Sequence, residues 1–351
     1  MQSPGELLNL TSEPAVLLRA GRVAAANPPA LELLGADCLG KNASALFGPA
    51  LGHLSAATLA QLELRGKPCV ARVVCAEKDR LVFLRRLEAV PNLLNQPFLY
   101  SLRNALMNME LAADRLREQA DDYAAEPILE SLRSITRSQF RLHRLLQNAS
   151  LIMAAAEDEP ARTLRRFSLR SLCGSVLDAL QPLAPQIRFT FHADGPAILL
   201  ADPDQIKILL MNLLSNVLIH ARGCTDASLS LLTSGQHVVL ALDDNGCGIP
   251  AQELYKVFDR YRHSFDLSQM AAGPGLGLTA VRIIAQLHGG TLLLESREGR
   301  GTTLRVSLER CADSSAALEA AENPATCDSR DLLVGLADCL PLDCFSERYL
   351  D

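Results

Sequence analysis

The chain has 351 residues, 48% of them apolar and 21% charged, an ordinary globular composition and length enough for two or three domains that each bury a core. Its formal net charge is −6 and no block of Lys and Arg interrupts it, which excludes the electrostatic footprint of a nucleic-acid-binding protein. No basic stretch precedes a sustained apolar core at the N-terminus, and no apolar run approaches the roughly 18 residues of a membrane span, so a cytosolic protein with no membrane span is expected.

Ten cysteines, at 38, 69, 75, 173, 224, 247, 311, 327, 339 and 344, include no CxxC pair and no His at metal-ligand spacing. Reduced, mostly buried thiols are expected, not a disulfide framework or a metal centre.

From Pro14 the run AVLLRAGRVAAANPPALELLGADCLGK predicts a strand, a turn at Gly21, a second strand and a helical turn through Leu31, Leu33 and Leu34. A helical region near Leu54 to Leu64 is expected next. Two alternating runs, CVARVVC and RLVFLRRLE, then complete a small antiparallel sheet of about four strands. This stretch resembles a PAS sensor domain, which the resemblance places over residues 1–90. No cluster of His, Cys or aromatic residues marks a haem or flavin, so a structural relay module and a cofactor-bearing sensor both remain open.

Beyond the Pro91 to Pro97 break, Leu99, Leu102, Leu106, Met109, Ala113 and Leu116 recur at helical spacing. Leu132, Ile135, Leu142, Leu145, Ala149 and Ile152 do the same after the polar turn QADDYAAEP, with Pro127 suited to the first turn of the second helix. Residues 91–160 thus read as a helical hairpin with one apolar stripe per helix. Pairing two hairpins as a four-helix bundle in a homodimer would bury the stripes, and so would packing one hairpin on the chain's own domains.

From Phe167 helices and hairpins alternate. FSLRSLCGSVLDAL reads as a helix, IRFTFHADG and AILLA as strands, DPDQIKILLMNLLSNVLIHARG as a long helix and DASLSLLTSGQHVVLALDD as a hairpin. TAVRIIAQLHGG is another helix, starting near Thr279, and TLLLESREGRGTTLRVSLE a last hairpin turning at Gly299 and Gly301. Such alternation predicts an α+β sandwich with helices on one face over residues 161–310. Residues 311–351 carry nine acidic residues against two arginines. They read as an acidic linker to Asp328 followed by a short Ser-capped helix ending near Pro341, either docked on the body or disordered.

Four stretches within 202–278 carry chemistry. In NLLSN, Asn212 and Asn216 stand four residues apart on one helix face, and amide oxygens are good hard ligands for Mg²⁺. In DDNGCGI, a carboxylate at Asp244 can accept an exocyclic amino group, while Gly246 and Gly248 let backbone approach a flat base. VFDRYRH offers Phe258 as an anchor and Arg260 and Arg262 as phosphate-reaching cations. GPGLGL brings Gly273, Gly275 and Gly277 to a helix start, where backbone amides favour anions.

In this order and spacing the four stretches resemble the motifs of the histidine kinase ATP-binding domain, within the Bergerat-fold ATPases. The resemblance implies ATP and Mg²⁺ as ligands, Asn216 as the metal ligand, and the other ten residues just named around the nucleotide, apart from any role for Asp243, which reads as an ordinary strand-end residue. Ala272 stands where the family often has Gly, and Ile219 where it often has a phosphate-contacting Lys.

The same resemblance implies a phosphoacceptor His on the first hairpin helix. Matching LRNAL to the family's LRTPL puts Tyr100 at that position, with Ser101 at the following acidic position and Ala105 in place of Pro. A phenol, with a pKa of about 10, needs a base that Ser101 does not supply, so conventional His autophosphorylation at this site is not expected. His143 on the second helix reads as a bundle-edge residue, and His220 and His288 as structural. Two functions stay open: a histidine-kinase-type phosphotransferase acting on Tyr100, a partner or water, and a non-catalytic ATP-binding pseudokinase that regulates a response regulator or a partner kinase.

Overall fold

The computed structural model describes residues 13–47, 58–64, 67–76, 79–86, 126–156, 162–195, 197–250, 276–310 and 325–346, with residues 8 and 11 and most of 102–116. Strands β1 (Ala15–Arg19) and β2 (Arg22–Ala26) form a hairpin whose turn places Ala20 and Gly21 at positive φ. Helix α1 (Pro28–Leu34) and a short helix α2 (Ala43–Phe47) follow. Strands β3 (Thr58–Leu64), β4 (Lys67–Ala76) and β5 (Asp79–Arg86) then complete a five-stranded antiparallel array in the order β2-β1-β5-β4-β3.

Strand β3 corrects the helix expected near Leu54 to Leu64 and raises the strand count from about four to five. The apolar residues of TLAQLEL fit both periods, since Leu59 and Leu62 are three apart while Ala60, Leu62 and Leu64 alternate. Pairing decides the matter: β3 hydrogen-bonds β4 on one side and a distant strand on the other.

Asn27 ties this module together. Its buried side chain caps α1 by accepting from the Ala30 N–H at 3.1 Å and also accepts from Ala15 N at 2.8 Å, while its amide nitrogen donates to the carbonyls of Leu8, Thr11 and Glu13.

The hairpin consists of helical residues between 102 and 116 and helix α3 (Glu126–Ala156). Leu102 and Leu106 pack against Leu142, Leu146, Ala149 and Met153 of α3. Next, β6 (Arg165–Ser168) pairs β8 (Ile198–Ala201), and helix α4 (Leu169–Leu180) starts only at Leu169, later than expected, because the Ser168 hydroxyl caps it at Ser171 N and the preceding four residues are held as a strand.

Strands β7 (Arg188–Ala193), β9 (Asp226–Ser234), β10 (His237–Asp244), β11 (Leu292–Arg297) and β12 (Gly301–Glu309) extend the first sheet to ten strands in the order β2-β1-β5-β4-β3-β11-β12-β10-β9-β7. All neighbours are antiparallel except β7 and β9. Alternate residues of the second half, Leu229 and Leu231, Leu240 and Leu242, Leu304 and Val306, Leu292 and Leu294, enter one core with helices α4, α5 (Pro203–His220) and α6 (Leu276–Leu287). This is the α+β layering expected from the alternating pattern.

The C-terminal residues dock, settling the choice between a docked and a disordered tail for 325–346. Helix α7 (Ser329–Gly335) is capped by Asp328, not by Ser, since the Asp328 carboxylate accepts from Asp331 N three residues on. It ends at Gly335, short of Pro341, and passes through turns into a 3-10 turn at Leu342–Phe345. None of the helices among the described residues is long and apolar enough to cross a membrane.

Asn27→Ala removes the cap of α1 and strands several buried backbone groups. A loss of about 2 kcal/mol in the stability of the N-terminal module is expected, read by denaturant-dependent amide exchange in β1 and α1, with Asn27→Asp, which keeps the acceptor but not the donor, falling between.

Candidate nucleotide site

Helix α5 presents the first site residues. Asp202 caps it through its carboxylate, accepting from Asp204 N and Gln205 N, and Pro203 opens its first turn. The helix is apolar on nearly every side and buried accordingly, so Asn212 and Asn216 are carried in a rigid, mostly dry setting.

The two amides differ. Asn212 is 2% exposed and fully engaged: its oxygen accepts from Arg144 Nη2 at 3.0 Å and Asn148 Nδ2 at 3.3 Å, and its nitrogen donates to Asn148 Oδ1 at 3.0 Å and to the Ile208 carbonyl at 2.9 Å. Asn216 is only half-buried, yet its amide nitrogen is shielded from water and has no hydrogen-bond partner. An orphaned buried donor costs about 1–3 kcal/mol, which an incoming oxygen acceptor would remove.

Asp244 ends β10. Its Oδ1 accepts from Gly246 N at 2.9 Å and Thr302 N at 3.3 Å. Burial pushes its carboxyl above the usual carboxylate range, the two N–H donors oppose that shift, and neighbouring Asp243 adds to it. Asp243 itself accepts from the Thr303 hydroxyl across the ladder, as a strand-end residue does.

The loop after Asp244 is braced from two sides. Asn245 accepts from Thr225 N and Asp226 N, and Ile249 N donates to Ser296 Oγ at 2.8 Å. Gly248 has φ +65°, and a Cβ there would lie 2.1 Å from the Arg297 carbonyl, so no other residue fits. Gly277, in the first turn of α6, abuts α5: a Cβ on it would lie 2.8 Å from Asn212 Oδ1. Helix α6 is described from Leu276, so it is already helical before the expected Thr279.

The described part of the site therefore brings Asn212, Asn216, Asp244, Gly246, Gly248 and Gly277 around α5, the β10 end and the start of α6. Tyr100, Phe258, Arg260, Arg262, Gly273 and Gly275 lie outside the described residues. Arg144, Asn148, Ser296 and Thr302, none singled out in the sequence, support the site from α3, β11 and β12. Only Arg144 and Asn148 carried a signal, as two polar residues four apart on one face of a helix.

The histidines take other parts. His288 is buried and kept neutral by desolvation; its Nε2 accepts from Asp202 N at 3.1 Å and its Nδ1 faces the Ile284 carbonyl at 2.8 Å, a structural bridge between the ends of α5 and α6. His143 is half-buried, with its pKa lowered by desolvation and raised in opposition by Glu110. It lines a cavity of about 370 Å³ with Arg144, Asn148, Lys207, Asn212 and Arg330.

The groups suit a nucleotide: an unpartnered amide N–H that an oxygen acceptor would satisfy, a carboxylate beside a glycine turn, and Gly277 packed close against α5. Residues 201–311 match the family of histidine kinase-, DNA gyrase B-, and HSP90-like ATPases. Fold and match together define a Bergerat-type ATP-binding domain. Sensor-type histidine kinase PrrB of Mycobacterium leprae is 29% identical over 57% of this chain and 43% of its own length. Adaptive-response sensory kinase SasA of a Synechococcus strain is 29% identical over 60% and 56%, and histidine protein kinase DivJ of Caulobacter vibrioides is 39% identical over 31% and 18%. Residues 201–311 are thus similar to the ATP-binding part of sensor histidine kinases, and the chain spans about half the length, or less, of these relatives.

Because the Asp244 carboxyl is raised in the fold, the folded protein holds that proton more tightly than the unfolded chain, where the pKa is about 4. Its ionisation therefore lowers stability as pH rises from there through the raised value, and has no cost below. Asp244→Asn keeps an oxygen for the same two N–H donors, so it is expected to melt above wild type at pH 7, with the gap closing toward pH 3, as read by thermal denaturation.

Proposed function

We propose that the chain is a histidine-kinase-like protein of two-component signal transduction that takes ATP with Mg²⁺ between α5, the loop after β10 and the start of α6. The observation that carries this reading is Asp244: a half-buried carboxylate fixed by two backbone N–H groups at the mouth of a glycine turn. In that setting its free oxygen accepts the exocyclic amino group of adenine, and Gly246 and Gly248 let backbone lie against the base. Asn216 would hold the metal, with Asn212 behind it. By the resemblance, Gly273, Gly275 and Gly277 would offer amides to the phosphates, with Phe258 as an anchor and Arg260 and Arg262 as phosphate-reaching cations. Bound ATP supplies the phosphoryl group and Mg²⁺ offsets its charge.

The N-terminal module is read as a PAS-like sensor over residues 1–90, the hairpin as 91–160, the ATP-binding domain as 161–310 and the tail as 311–351. Homodimerisation through the hairpin is supported by its exposed apolar side chains, among them Met109, Leu116 and Ile135, which border a groove of about 520 Å³. The protein acts in the cytoplasm, on a response regulator or a partner kinase.

The second reading is a pseudokinase that binds ATP without transferring phosphate to itself. Tyr100 and Ser101 at the acceptor positions favour it, and so does the Asn212 amide, fully engaged by α3 and by the Ile208 carbonyl of its own helix.

Calorimetry with Mg-ATP is expected to give saturable binding that Asp244→Asn weakens about 10- to 100-fold, the range for losing one charge-assisted hydrogen bond. Unchanged binding by that variant would sink the nucleotide reading. With γ-labelled ATP, wild type, Tyr100→Phe and His143→Ala are all expected to lack acid-labile, base-stable phosphate. A phosphohistidine signal on wild type refutes the degenerate assignment.

A further inference from the structure

The C-terminal residues bridge two parts of the molecule. Leu332, Leu333, Leu336, Ala337, Leu340 and Phe345 are each 2% exposed or less and join the core shared by α3, α4 and α5. Phe345 meets Phe140 of α3 with ring centroids 6.0 Å apart. Gly335 lies so close to α5 that a Cβ on it would stand 2.3 Å from Met211 Cγ.

Polar contacts fix the same segment on both sides. Asp338 ion-pairs with Arg141, whose Nε lies 2.9 Å away, and accepts from Arg144 Nη1 at 2.7 Å, both from α3, and the Ala337 carbonyl accepts from Arg137 Nε at 3.3 Å. Toward α5, Asp331 pairs with Lys207 at 2.7 Å. Arg330 reaches Glu110 of the first hairpin helix at 3.4 Å. Arg144 then completes a chain, because its other terminal nitrogen donates to Asn212 Oδ1, so one guanidinium links the tail, the hairpin and the nucleotide-site helix.

We infer that residues 325–346 form an autoinhibitory clamp that holds the ATP-binding domain against α3 and keeps the Asn212 amide turned away from ligand. The nucleotide part of this inference rests on the reading proposed above. For the domain to carry a phosphoryl group to the first hairpin helix or to a partner, α5 and α6 must move relative to α3. While the segment is docked, four ion pairs and a shared apolar core oppose that motion.

Cys339 Sγ lies 3.9 Å from Ser215 Oγ on α5, which supplies a lock. In the full-length chain, Ser215→Cys is expected to form a disulfide with Cys339 on mild oxidation, located by peptide mapping and absent from Ser215→Cys/Cys339→Ser. The oxidised protein is expected to bind Mg-ATP at least about fivefold more weakly than the same protein reduced, while Asp338→Lys binds more tightly than wild type and speeds amide exchange in α3. Failure of the disulfide to form overturns the inference, as does equal nucleotide binding by locked and reduced protein. Should no form bind nucleotide, the nucleotide reading fails by itself, and the clamp is then decided by exchange: faster exchange in α3 for Asp338→Lys and slower for the locked protein supports it, and no difference overturns it.

Discussion

Helix α5 is apolar around nearly its whole circumference, and that one property dictates the surroundings of the site. A helix of this kind has no face to leave in water, so it needs cover on every side. The sheet and α6 cover one side through Leu229, Leu240, Val281 and Ile284. The remaining side is covered by α3 and the C-terminal segment through Phe140, Leu332 and Leu336. The cover also brings polar groups with it. Asn148 and Arg144 arrive on α3 opposite Asn212, and since a buried amide left unpaired is costly, the four hydrogen bonds there follow from the packing.

Asp244 shows the opposite balance. Two backbone donors hold one of its oxygens, yet desolvation outweighs them and its carboxyl stays raised. A carboxylate raised in this way is destabilising when ionised, unlike one held by donors that outweigh its desolvation. The orphaned nitrogen of Asn216 has the same character on the other wall. These two groups differ in this from Asn212 and His288, whose polar atoms are paired within the fold.

Local chemistry was legible in the sequence and long-range cover was not. The loop from Asp244 to Gly248 could be read because its constraints are local, a strand-end carboxylate followed by glycines, and the Asp202 and Pro203 start of α5 was legible for the same reason. Strand β3 was misread because its apolar spacing fits two periods, and β6 because four residues are too few to show one. The contacts from Arg144 and Asn148 to Asn212 span 68 and 64 residues, and nothing in either segment announces the other. The docked tail left only a faint trace, since LLVGLADCL is as apolar as a core helix but far too short to say what it packs on.

Strand β11 joins both halves of the sheet and bears on the site at the same time. Its residues Leu292 to Glu295 pair with Gln61 to Thr58 of β3, and Leu293, pointing to the face opposite Leu292 and Leu294, completes the core of the N-terminal module. The next residues, Ser296 and Arg297, hold Ile249 N and crowd Gly248. A strand has a side-chain period of two, so a one-residue slip of β11 would withdraw Leu293 from the N-terminal core and Leu292 and Leu294 from the other. Register at β3 is thereby set by two cores at once. Ser296 and Arg297 sit directly beyond that fixed register, so the loop beside Asp244 is tied to the packing of the N-terminal module through the backbone of β11, the Ser296 hydroxyl and the Arg297 carbonyl.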